Sequence, residues 1–166
     1  MLYSFASEIP NEIAYNLFKT AIGNLCTQDA DPLKRRAGLK VLGNICDSDA
    51  LCDPIKDDIE LWTDLLVRSL QDSTQIVREA ACEAIGDFAD DVIPDFLDQH
   101  PKVMPVLLQS LTELIELAPQ SEAYATIAER AIYALGEFAT NMEEYEIKPY
   151  LTQCLTICLA YLNGPT

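Results

Sequence analysis

The amino-acid sequence predicts an all-α protein, an α-solenoid of about three and a half antiparallel helical hairpins. Three observations carry that prediction. A segment centred on glycine recurs three times along the 166 residues. Between these segments, apolar residues recur at three- and four-residue spacing, which puts them on one side of a helix turning every ~3.6 residues. No stretch alternates apolar and polar residues with the period of two that a half-buried strand requires.

The recurring segments are residues 35–45, 78–88 and 128–138. Small residues fall in register at Gly38, Ala81 and Ala131, branched apolar ones at Leu42, Ile85 and Leu135, and larger ones at Ile45, Phe88 and Phe138. Their glycines Gly43, Gly86 and Gly136 are separated by 43 and then 50 residues. That spacing suits the ~40–47-residue period of HEAT and armadillo repeats with one insertion. Each segment, designated an A helix, is followed by a second amphipathic B helix, expected at 54–70, 102–117 and 147–162. One further B helix is expected at 11–26. The chain then divides into 1–28, the B helix of an incomplete repeat, and repeats at 29–71, 72–118 and 119–166. A lone hairpin of this kind cannot bury its apolar stripe, so stability must come from stacking.

Individual elements follow from the same chemistry. In the helix at 54–70, Ile55, Ile59, Trp62, Leu65, Leu66 and Leu70 make one buried stripe. Asp31-Pro32 and Asp53-Pro54 read as N-cap and first-turn pairs, because an Asp oxygen can accept a free amide and Pro has none to leave unpaired. Ser121 with Glu122 can open another helix. The B helices share a register, Pro105 to Leu111 against Pro149 to Leu155, with each proline expected in the first turn. Residues 115–124 account for the longer spacing and read as an inter-helix loop.

At the entry of two A helices an acid stands six residues before an arginine, Asp29 with Arg35 and Asp72 with Arg78. This pattern resembles HEAT repeats, and the resemblance implies an ionic ladder between neighbouring repeats. The third hairpin departs from it, with Glu122 and Ala128 in those places and Arg130 two residues late. Residues 72–89, then His100-Pro101-Lys102-Val103-Met104-Pro105, then Ala134-Leu135-Gly136-Glu137-Phe138 with Lys148-Pro149-Tyr150-Leu151, follow one another in an order similar to the importin-β (karyopherin-β) nuclear transport receptors. The importin-4 and importin-5 branch is the most similar, over roughly residues 30–162. The resemblance implies a fragment of a receptor that wraps basic cargo such as histones and ribosomal proteins. It also implies that the full-length parent releases cargo to Ran-GTP, touches Phe-Gly nucleoporins, and passes between cytoplasm and nucleus. A structural HEAT scaffold in a multiprotein complex is the alternative.

The charge balance points the same way. Eleven basic against 27 acidic residues give a net charge of −16, which attracts basic partners. It disfavours nucleic acid and anionic membrane surfaces, both of which recruit Lys and Arg. No apolar run reaches the ~18 residues that span a bilayer, and Met1 to Phe5 carries no basic n-region of a signal peptide. The six cysteines, Cys26, Cys46, Cys52, Cys82, Cys154 and Cys158, include no C-x-x-C pair. They are expected to be reduced, small hydrophobic residues of an intracellular, monomeric segment.

Opposite the apolar stripe of the 54–70 helix stand Asp57, Glu60, Asp64 and Arg68. The next B helix carries Gln109, Thr112, Glu113 and Glu116 on the matching face, and the last carries Gln153 and Thr156. The resemblance implies that B helices line a concave wall, so Asp57, Glu60, Asp64, Glu113 and Glu116 are the candidate cargo-binding residues. Carboxylates on adjacent helices can hold Lys and Arg through charge-assisted hydrogen bonds; a merely solvated helix face is the plain alternative. Trp62, the only tryptophan, is either an aromatic anchor for cargo or, from its place on the stripe, a core residue. No enzyme is expected. His100 stands alone, Cys154 and Cys158 lack a third ligand, and the glycines never form a phosphate loop. No catalytic residue, metal or cofactor is assigned.

Overall fold

A computed structural model describes residues 11–27, 30–46, 51–117 and 122–162. Its helices are α1 (Asn11–Leu25), α2 (Pro32–Asn44), α3 (Cys52–Asp57), α4 (Ile59–Leu70), α5 (Gln75–Asp91), α6 (His100–Leu117), α7 (Glu122–Asn141), α8 (Glu144–Ile147) and α9 (Leu151–Leu162). A short 3-10 turn, Leu97–Gln99, leads into α6. Among the described residues there is no strand, so the all-α solenoid stands.

The helix ends show where local chemistry decided. Asp31 caps α2 as expected, its Oδ1 accepting the Leu33 amide at 2.8 Å with Pro32 in the first turn. Asp53 does not cap, because α3 begins one residue earlier, at Cys52. The helix expected at 54–70 is in fact two, broken at Asp58, whose ψ of 22° leaves the helical region. The Asp58 carboxylate is engaged with α1, accepting from the Tyr15 hydroxyl and the Lys19 ammonium, each at 2.7 Å. Pro105 lies inside α6 instead of in its first turn, since the helix starts at His100 and Pro101 takes the early position. Pro149 sits in the turn ahead of α9. The expected 147–162 helix is therefore shortened, and the short α8 before it is closed by a reciprocal capping box between Glu143 and Glu146. Most of the 115–124 stretch is helical, as the ends of α6 and α7; residues 118–121, including Ser121, lie outside the described residues.

The helices stack in two layers. α2, α5 and α7 lie side by side in one, and α4, α6 and α9 in the other. α1 joins the second layer through Phe18, whose ring meets Trp62 at 5.8 Å. Between the layers the close antiparallel partners are α1 with α2, α4 with α5, and α6 with α7. That pairing is offset by one helix from the division at 28/29, 71/72 and 118/119. The reason is connection length: residues 71–74 are a short link that forces antiparallel neighbours, whereas the longer 92–99 segment separates α5 from α6. Phe96 from that segment sits between Phe88 and Phe138, at 5.1 and 5.4 Å, and ties α5 to α7.

The layers are spaced by different residues. In the first, a Cβ built on Gly43 would lie 3.2 Å from the Ala84 Cα, and one on Gly86 would lie 2.6 Å from the Tyr133 ring and 3.6 Å from the Ala134 Cα. With no Cβ of their own, Gly43 and Gly86 leave room for the Asp87 carboxylate and the Tyr133 ring and for close approach of the Ala84 and Ala134 backbones. In the second layer Trp62, Leu66, Met104, Leu107 and Leu111 are buried, as are Phe88 and Phe138 in the first. The face of α9 is open: Leu151 and Leu155 are 48% and 55% exposed, whereas their register equivalents on α6, Leu107 and Leu111, are fully buried.

Candidate protein-binding surface

The ladder anticipated from the Asp–Arg spacing is built at the first junction. Arg35, at the start of α2, reaches Asp72, just before α5, with Nε to Oδ2 at 2.8 Å and Nη2 to Oδ1 at 3.0 Å. The guanidinium also donates to the Ala30 carbonyl and to Thr74 Oγ1. Burial pushes the Asp72 carboxyl up, but the Arg35 fork and the Thr74 amide outweigh it and leave the group below the usual carboxylate range. Asp29, the other expected acid, lies outside the described residues. At the second junction Arg78 donates to the backbone carbonyl of Asp72 at 2.6 Å.

A second inter-helix network went unread in the sequence. Trp62 Nε1 donates to the Tyr15 hydroxyl at 3.1 Å, and that hydroxyl donates to Asp58. Hydrogen bonds from Lys19 and then Tyr15 hold Asp58 below its ordinary range. Trp62 is 1% exposed, so its aromatic-anchor reading is corrected: the ring is core, with its one polar atom satisfied internally. Position on the stripe had pointed to this; the tyrosine partner 47 residues away had no local signal.

Each of the other candidate residues is exposed. Asp57 ends α3, Glu60 and Asp64 lie on α4, and Glu113 and Glu116 on α6. They share the α4/α6 layer but are loosely held. Asp64, 71% exposed, meets Lys102 at 3.5 Å, and Glu113 accepts from Gln109 at 3.2 Å.

A further carboxylate grouping lies on neighbouring faces of α5 and α7. Glu83 receives Lys40 from α2 at 2.8 Å and faces Arg130 from α7 at 3.9 Å, linking three helices. One turn on, Asp87 packs against Gly43. Partial burial, then the charges of Glu83 and Asp91, push its carboxyl up to about 6, against the relief that Lys40 and Arg130 supply. The Tyr133 ring lies over Gly86 and is 45% exposed. Its hydroxyl is pushed upward by partial burial and by Glu137, Asp90, Asp87 and Asp91. The signal that could have located this cluster was the small residue at Gly43 and Gly86, which brings charged neighbours together.

The remaining reactive residues serve packing. Cys26, Cys46, Cys82 and Cys154 are buried and free, and burial drives their thiols upward, away from thiolate chemistry. His100 Nδ1 lies 3.2 Å from the Tyr150 hydroxyl, joining the start of α6 to the turn before α9. Among the described residues no three His, Cys, Asp or Glu side chains gather as a metal site, and no helix is long and apolar enough to cross a membrane.

Comparison with known proteins agrees with this architecture. Residues 63–92 match the HEAT repeat family. That span runs from α4 through the 71–74 turn into α5, the hairpin seen in space. Importin-4 of Mus musculus is 35% identical over 82 residues, 49% of this chain, and importin-4 of Homo sapiens is 35% identical over 81 residues, 48% of it. The matched stretch is 7% of the length of either relative. None of these matches is to an enzyme family.

Proposed function

We propose that this chain, an importin-4-like HEAT-repeat member of the importin-β family, is a protein-binding segment of a nuclear import receptor that holds a basic cargo on its acidic surface. The observation that carries the reading is the group of Asp87, Asp90, Asp91 and Glu137 near Tyr133, which packs over Gly86, with Glu83 beside Asp87. Burial first, and then the charges of Glu83 and Asp91, push the Asp87 carboxyl up to about 6, and the repulsive part of that cost falls when a cation enters. Lys or Arg side chains of a partner supply that cation through charge-assisted hydrogen bonds, and the open Tyr133 ring offers a cation–π face. The cluster spans α5 and α7 on the α2/α5/α7 layer. A basic segment lying along it meets carboxylates from two helices at once. Asp57, Glu60, Asp64, Glu113 and Glu116 form a second, more solvated set on the wider layer and add to the field that steers basic partners.

Histones and ribosomal proteins are the cargo class this chemistry fits. Release by Ran-GTP, contact with Phe-Gly nucleoporins, and shuttling between cytoplasm and nucleus belong to the full-length receptor in this reading. The test is a pull-down of a basic histone with the full-length parent, with and without Ran-GTP. Capture that is lost on adding Ran-GTP supports a receptor; capture indifferent to Ran-GTP points to a fixed HEAT scaffold.

A further inference from the structure

The two junctions of the ladder differ in one respect. Arg35 closes on Asp72 with a two-bonded fork, whereas Arg78, 43 residues on, has a single bond to a backbone carbonyl. The Asp72 carboxylate is engaged by Arg35 and the Thr74 amide, and Arg78 reaches only the Asp72 backbone carbonyl. The seven extra residues of the third repeat carry Glu122, the register counterpart of Asp72, to an exposed position at the start of α7. Arg78 therefore meets no carboxylate within salt-bridge reach among the described residues, and it lines a groove of about 380 Å³ between α4, α5 and α6. The groove has an apolar floor of Leu70, Cys82 and Val106 and a rim that includes Asp72, whose carboxylate is held by Arg35, with Gln109 and Glu113.

A half-buried guanidinium with donors to spare beside apolar surface is complementary to one kind of group. We propose that this groove takes an acidic side chain of a protein partner, a Glu or Asp carboxylate flanked by an apolar residue, which completes at the second junction the rung that Asp72 supplies at the first. Arg presents its donors in a planar fork that matches a carboxylate bidentately. The net charge of −16 opposes an acidic ligand at long range, but at physiological salt that field is screened beyond ~8 Å while the local pair persists. Glu113 on the rim competes with the incoming carboxylate.

The test is an NMR titration of the 166-residue chain, at physiological salt, with a blocked five-residue peptide carrying one central glutamate between leucines, and with its glutamine twin. The glutamate peptide is expected to shift amides of the 71–78 turn and the middle of α6, and to bind at least about tenfold more tightly than the twin, the usual gain from a charge-assisted pair. Arg78→Gln is expected to abolish that preference, with helicity checked by circular dichroism. Glu113→Gln, which leaves Arg78 and its turn intact, is expected to tighten the glutamate peptide several-fold. Equal binding of the two peptides reduces the groove to an apolar site and overturns the proposal. So does absence of binding by either, or a preference that survives Arg78→Gln.

Discussion

The layer made by α2, α5 and α7 and the layer made by α1, α4, α6 and α9 solve the same stacking problem with opposite materials. In the first, glycine and alanine let backbones nearly touch, at Gly43 against Ala84 and Gly86 against Ala134. In the second, a tryptophan, a methionine and leucines fill the space. The consequences reach the surface. Where helices are close, Asp87 is partly buried between them, and burial, then the charges of Glu83 and Asp91, push its carboxyl up to about 6. Where they are wide, Glu60, Asp64 and Glu113 sit separately in solvent. Core side-chain size thereby sets surface electrostatics in a stack of helices, because spacing is what the two share.

The comparison can be broken by substitution. Trp62→Ala removes the largest filler of the wide layer and the indole donor to the Tyr15 hydroxyl; chemical denaturation is expected to show a loss of about 3–5 kcal/mol. Arg35→Gln opens the ladder fork, whose side chains are only 11% and 15% exposed, and is expected to cost about 1–3 kcal/mol. Gly43→Val in the tight layer forces a branched side chain toward the Ala84 backbone and is expected to cost about 1–3 kcal/mol by overpacking. A neutral result there would mean that the two layers do not differ in tolerance.

Acidity sharpens the same contrast. The Asp87 pKa is raised on folding from 3.8 to about 6. Its contribution is therefore fully present below pH ~4 and is lost as pH rises through about 6. Asp58 and Asp72 are lowered; they stabilise above the unfolded carboxylate range of about 4 and lose that effect on further acidification. Asp87→Asn is thus expected to raise stability at pH 7 by about 1 kcal/mol after allowance for solvent screening. It should also flatten the stability curve between pH 4 and 6, as thermal melts across that range would reveal. The smallest effect is expected at Gly136, where an added Cβ meets nothing within 4 Å. Gly136→Ala should gain about 0.5–1 kcal/mol from helix propensity alone.

Helical periodicity and the glycine register made the solenoid legible, because a stacked repeat writes its core into the chain at fixed intervals. Asp31 could be read as a cap for a local reason, its oxygen reaching an amide two residues on. Asp58 could not, since the helix breaks where a carboxylate is drawn to Tyr15 and Lys19 on another helix. The close pairing of α4 with α5 depends on where helices end, since the 71–74 link between them is short. The acidic wall was sought on one helix face at a time. The α5/α7 cluster joins residues of two helices some fifty positions apart, and only the close approach at Gly86 brings them together.

The most direct test of the account is titration of a labelled basic histone-tail peptide into three forms of the chain, at low and at physiological salt. These are the unmodified chain, Asp90→Lys with Glu137→Lys on the tight layer, and Glu60→Lys with Asp64→Lys on the wide one. Both double variants change the net charge equally, so long-range attraction falls alike in each. The account predicts salt-sensitive binding that the Asp90/Glu137 pair weakens at least about tenfold more than the Glu60/Asp64 pair, the difference expected of charge-assisted contacts over screening alone. Equal losses in the two variants, or no salt-sensitive binding by the unmodified chain, would contradict it.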